Sequence, residues 1–143
     1  MSNVTATDIR SFLMDRTTSD NPLLDDLEFS NEDLAQALQL ACDKYNSTPP
    51  LIDCPRTPDN FPYRYELIIQ TAANLLRSAA INMERNKLDV TSQDGTAVQD
   101  KNKGPAYVAL AKDLSAEFDQ RIKQLKISAN MEACWGRVGG GFA

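Results

Sequence analysis

The sequence predicts a mainly α-helical protein: a four-helix bundle with a small β-hairpin between its two long C-terminal helices and an extended C-terminal tail. Three observations point there. Apolar and small residues keep helical spacing through the middle of the chain, at Leu67, Ile68, Thr71, Ala72, Leu75, Leu76, Ala79 and Met83. The period then switches to alternation at Leu88, Val90 and Ser92, and again at Thr96 and Val98, on either side of the turn pair Asp94-Gly95. The stretch STPPLIDCPRTPDNFP holds five of the seven prolines, so it joins helices without being one. A chain of 143 residues fits one domain with one core. We place that helical domain at residues 1–131, with the hairpin at about 88–100, and the tail at 132–143.

The first helix is expected over residues 8–16. Thr5 or Thr7 can cap it, and Ile9, Phe12 and Leu13 form its apolar face. Turn formers around Pro22 break it, and Leu23, Leu24 and Leu27 are expected to pin the connection onto the core. Ser30 opens the second helix, with Glu32 and Asp33 at the positive end of its dipole. Leu34, Leu38, Ala41 and Tyr45 make its stripe, and Pro49 and Pro50 end it near Asn46. The third helix, residues 63–87, starts beside Pro62 and forms the spine. Its small residues Ala72, Ala73, Ser78, Ala79 and Ala80 let neighbours approach closely. An isolated hairpin is marginal in water, so Val90, Asp94, Gly95 and Val98 are expected to lean on the bundle or on another subunit. The fourth helix follows Gly104-Pro105 and runs to about Ser128 or a little beyond. Tyr107, Leu110, Ala111, Leu114, Phe118, Ile122 and Leu125 are its expected buried stripe. Lys112, Glu117, Asp119, Lys123 and Lys126 are expected to face water.

Composition narrows the chemistry. There is no histidine, so a serine or cysteine nucleophile lacks its usual base. The three cysteines Cys42, Cys54 and Cys134 have no C-x-x-C spacing and read as buried or idle thiols, so no metal site is expected. Asp25, Asp26, Glu28, Glu32 and Asp33 cluster at helix starts, where they serve the dipole. DVTSQDGTAVQD fails as a calcium loop, because its first ligand place falls on Val90. GRVGGG is followed by neither Lys-Ser/Thr nor a helix, so it is not a phosphate loop. We therefore expect no enzyme, no cofactor and no catalytic residue; a carboxylate-only hydrolase is the remote rival. The net charge of −5 works against an electrostatic grip on DNA. Tyr63, Tyr65 and Tyr107 read as core or interface residues, and Arg56, Arg64, Arg77 and Arg85 as solvated or inter-subunit pairs. The N-terminus MSNVTATDIR has no signal-peptide pattern, and no apolar run approaches the roughly 18 residues of a membrane span. A protein made and kept in a cytoplasm, with no membrane, is the expectation.

The order of elements carries a resemblance. A short helix precedes NPLLDDLEFSNEDLAQALQLACDKYN, an acidic capped helix ending in Tyr-Asn. A proline crossover, a long helix, a DG hairpin and GPAYVALAKDLSAEFDQRIKQLK follow, the last with a Tyr-x-x-Leu-Ala start at 107–111. This resembles the head-to-tail adaptor proteins of tailed bacteriophages, also called head-tail connector or head-completion proteins. The resemblance covers residues 8–126 and rests on pattern and order. It implies a homo-oligomeric ring, dodecameric in such proteins, beneath the portal in the virion neck. The ring would extend the DNA channel, pass DNA without sequence-specific binding, and dock the tail or stopper. C-terminal segments of such proteins reach into crevices of the portal. That role fits EACWGRVGGGFA. Trp135, Val138 and Phe142 can be buried in a partner, Arg137 can bond a partner carboxylate, and Gly139, Gly140 and Gly141 permit close backbone approach. The tail is expected to be disordered until it docks. The alternative is a small helical DNA-packaging or regulatory protein that binds nucleic acid.

Overall fold

The computed structural model describes residues 4–15, 29–51, 54–85, 89–91, 97–99 and 104–140, and these are mainly helical. The helices are α1 (Ala6–Leu13), α2 (Asn31–Ser47), α3 (Arg64–Arg85) and α4 (Gly104–Gly140). Strands β1 (Asp89–Thr91) and β2 (Ala97–Gln99) lie between α3 and α4 and pair antiparallel, with Val90 opposite Val98.

Local chemistry sets where α1 and α2 begin. The Thr5 hydroxyl accepts from the Asp8 amide at 3.3 Å, and the Asp8 carboxylate accepts from the Thr5 amide at 2.9 Å. This capping box chooses Thr5 over Thr7 and starts α1 at Ala6, ahead of the expected residue 8. Met14, at φ 58°, ends it in the left-handed conformation. Ser30 and Asp33 repeat the box on α2, at 3.1 Å in both directions. Leu34, Ala37, Ala41, Cys42 and Tyr45 are the buried face of α2. The helix stops at Ser47, as Thr48 turns extended ahead of the cis Pro49-Pro50 bond. Leu23, Leu24 and Leu27 lie outside the described residues. The two ends of their connection do meet: Asp15 accepts from Arg10 at 2.7 Å and from the Phe29 amide at 3.3 Å.

The proline crossover is held by side chains rather than by a ladder. Asn46 brackets Arg56, donating to its carbonyl at 3.0 Å and accepting from its amide at 2.8 Å. Phe61 is fully buried, edge-on to Tyr45 at 4.8 Å and to Tyr63 at 6.3 Å between ring centroids. Edge-to-face geometry of this kind adds about 0.5–1.5 kcal/mol per pair beyond burial.

Helix α3 is the centre of the described body and touches α1, α2 and α4. Between Leu67 and Ala80 almost every side chain is buried, small ones included. Phe118 and Ile122 of α4 pack with Ile69 and Leu67 of α3 and with Ala41, Cys42 and Tyr45 of α2. A second cluster joins Ile9, Phe29, Leu34, Ala37, Leu75 and Ala79. Lys44 ties three helices together, donating to Gln70 at 3.2 Å and to Ser115 at 2.6 Å, beside Asp119 at 3.1 Å.

Helix α4 departs from the sequence reading in three ways. It does not end near residue 128 but continues to Gly140, so residues 132–140 are helical rather than an extended tail. The reason is local: ISANMEAC carries no proline or glycine, and once a helix is nucleated each further residue gains a hydrogen bond. Glycine at 136, 139 and 140 weakens the last turns by about 1 kcal/mol each without breaking the ladder. Leu110, expected on the buried stripe, is exposed. Lys126, expected in water, is only 2% exposed. It stands one turn beyond Ile122, on the packed face, and its apolar stem lines the core while its ammonium finds carbonyls.

Candidate partner-binding surfaces

Lys126 is the last point where the described part of α4 is buried in the body. Its Nζ donates to the carbonyls of Tyr45 and Thr48, the latter at 2.6 Å, and lies 4.2 Å from the Tyr45 ring centroid. It thus caps the C-terminus of α2 with a positive charge, where the helix dipole favours one. Desolvation pulls its pKa below the usual lysine value.

Beyond Lys126, residues 127–132 and Cys134 are all exposed. The helix from there to Gly140 rises roughly 21 Å. We call this segment the arm. Ile127 is 44% exposed and Met131 55%. Positions 127, 131, 134 and 138 follow i, i+4, i+7, i+11, so Ile127, Met131, Cys134 and Val138 share one helical face by register. The expected docking residues Trp135, Arg137, Val138, Gly139 and Gly140 stand on the last turns of α4; their side chains, and Gly141 and Phe142 altogether, lie outside the described residues. Sequence reading missed Ile127 and Met131, although their one-turn spacing past the end of the buried stripe was a usable signal.

The opposite end of α4 carries a second surface. The start of α4 lies beside the end of α3 and leaves an open groove of about 590 Å³. Ala80, Ile81, Pro105 and Val108 give it an apolar floor, and Arg77, Glu84 and Arg85 stand along its edges. Ile81 is 54% exposed and Val108 39%. Val90 and Val98 are partners in the β1–β2 register, while Asp94 and Gly95 lie outside the described residues. A more polar cleft of about 350 Å³ runs between α2 and α3, lined by Asp33, Gln36, Asn74, Ser78 and Asn82 among others.

Other titratable groups serve the body. Asp8 and Asp33 are held below the usual carboxylate range by the amides and hydroxyls of their capping boxes. Burial pushes the Cys42 thiol up to about 11, so it is inert, whereas Cys54 and Cys134 are exposed. Burial raises Tyr45. Tyr65, also raised, donates to Glu117 at 3.2 Å beneath the Arg121 guanidinium. Arg64 pairs with Asp8 at 2.7 Å within the chain. Among the described residues no group of three or more histidine, cysteine or acidic side chains converges as a metal site would require. No described helix is long and apolar enough to cross a membrane. Comparison with protein-family models, curated proteins and solved structures finds no match.

Proposed function

We propose that this chain is a structural virion protein, a head-to-tail adaptor that forms a ring under the phage portal. The ring extends the DNA channel and docks the tail or stopper. Its body is a four-helix bundle with a hairpin turning at Asp94-Gly95, and it works by contact rather than by catalysis. The observation that carries the reading is the arm: α4 outruns its own body and presents Ile127 and Met131 to solvent. An apolar stripe left exposed on a helix is the kind of surface that a partner covers.

The helical arm also changes the physics of docking. A disordered tail would lose about 1–2 kcal/mol of backbone entropy per residue on binding. An arm already helical to Gly140 avoids much of that cost, so Trp135 and Val138 need bury less surface for the same affinity. The acidic balance of the chain, −5, suits a channel through which DNA slides without being held.

The test is binding to purified cognate portal protein. The full chain is expected to form a ring on the portal, visible by electron microscopy. A chain ending at Lys126 is expected to fold and to lose portal binding. Unchanged affinity of the shortened chain would refute the role of the arm, and salt-sensitive retardation of DNA by the free chain would favour a nucleic-acid-binding protein instead.

A further inference from the structure

We propose that the arm of one copy seats in the groove at the α3–α4 end of the next copy, its Ile127 and Met131 lying on the floor formed by Ala80, Ile81, Pro105 and Val108. This contact deepens the ring reading above and rests on it. The two surfaces match in chemistry. The groove is an apolar trough between two helices, the shape that takes an amphipathic helix through anchors at i, i+4 and i+7. The arm offers such anchors at Ile127, Met131 and Cys134. The rim of the groove carries Arg77 and Arg85 against Glu84, a positive balance, and both arginines are exposed. The charged residue on the arm between 127 and 134 is Glu132, also exposed.

Geometry selects a second copy as the occupant. From Val108 to Ile127 a straight helix rises roughly 28 Å. The arm points onward from there, so it cannot reach the groove of its own chain. Two unlike surfaces on one chain, complementary to each other and separated by a rigid element, make a heterologous contact. Such a contact propagates from copy to copy and closes when the rotation allows. Residues beyond 134 then extend past the neighbour's groove and stay available to the portal.

Complementation between two broken copies tests this on the full chain. Met131→Asp spoils the arm and leaves the groove intact; Val108→Asp does the reverse. Both positions are exposed, so both variants are expected to keep the wild-type circular dichroism. Should either unfold, Met131→Gln and Val108→Thr read the same contact with a smaller loss. By sedimentation, wild type is expected to associate, and each variant alone to do so at least tenfold more weakly. An equimolar mixture is expected to form a heterodimer, because one good arm and one good groove remain. Val108→Asp associating like wild type would mean that arms pair with arms, and would overturn the proposal. No heterodimer in the mixture, or wild type monomeric up to about 1 mM, would overturn it too. Portal binding, measured separately on wild type, decides the adaptor reading. A chain that self-associates through arm and groove but ignores portal removes that reading and leaves the contact standing. A chain that joins portal while both variants still associate does the opposite.

Discussion

Replacing Lys126 with methionine isolates a buried ammonium that holds α4 to α2. The side chain is 2% exposed, and its Nζ serves the carbonyls of Tyr45 and Thr48 with no carboxylate beside it among the described residues. Methionine keeps most of the stem's volume and removes the donor. Each hydrogen bond to a charged group contributes about 1.5–3 kcal/mol. The Thr48 bond is only part-buried, so water can replace some of its share. The cation–ring contact adds about 1 kcal/mol. Methionine escapes the desolvation that lowers the lysine's pKa, which offsets part of the loss. The net expectation is a destabilisation of about 3 kcal/mol, read by urea unfolding at pH 7. The pH dependence supplies an independent check. The native pKa lies below the ordinary 10.5, so in the window between the two the unfolded chain binds the proton more tightly than the native one. Wild-type stability therefore rises with pH across that window relative to Lys126→Met, and the gap between them widens toward pH 10.5. A variant as stable as wild type, or a gap that narrows on the alkaline side, would refute the account of Lys126 as a desolvated cap.

Three further outcomes are expected. Ser30→Ala removes half of the α2 capping box and should cost about 1 kcal/mol by thermal or urea unfolding. Because Asp33 is held below 3.8 by Ser30, its contribution is present above that pH and lost as pH falls through the lower native value, so the variant should show a flatter acid limb. Phe118→Ala empties the junction of α2, α3 and α4 and should cost about 3–5 kcal/mol in the same assay. With thiol reagent at pH 8, native protein diluted until it is monomeric should give two fast equivalents, from Cys54 and Cys134, while Cys42 reacts only on unfolding.

What was legible in the sequence is what local chemistry decides. Thr5, Asp8, Ser30 and Asp33 each act within three residues, so the start of α2 followed directly from the chain. The uninterrupted spacing of α3 made its central place legible as well. The end of α4 was not, because glycines at 136 and 139–141 weigh toward a coil, whereas a long ladder already formed upstream carries the helix through most of them. Lys126 was misjudged for another reason. A lysine reads as solvent-facing until the structure brings the free carbonyls of α2 to it, and those lie about 80 residues earlier in sequence. Phe61 hid among prolines. The groove is assembled from the end of α3 and the start of α4, and neither segment announces it alone.

The bonds that fix α4 also make it a lever. Ser115 hydrogen-bonds Lys44, Asp119 pairs with it, and Lys126 grips the end of α2, so the body holds one end of a rod that runs on through the exposed residues 127–132. Over roughly 21 Å of arm, a tilt of about 10° at Lys126 moves the tip by about 4 Å. That exceeds the tolerance of a well-packed contact. Adjustments of a fraction of an ångström among Lys44, Gln70 and Ser115 would thus be magnified at Gly140. Whatever reaches the tip of the arm is mechanically connected to the packing of α2 against α3 in the same chain.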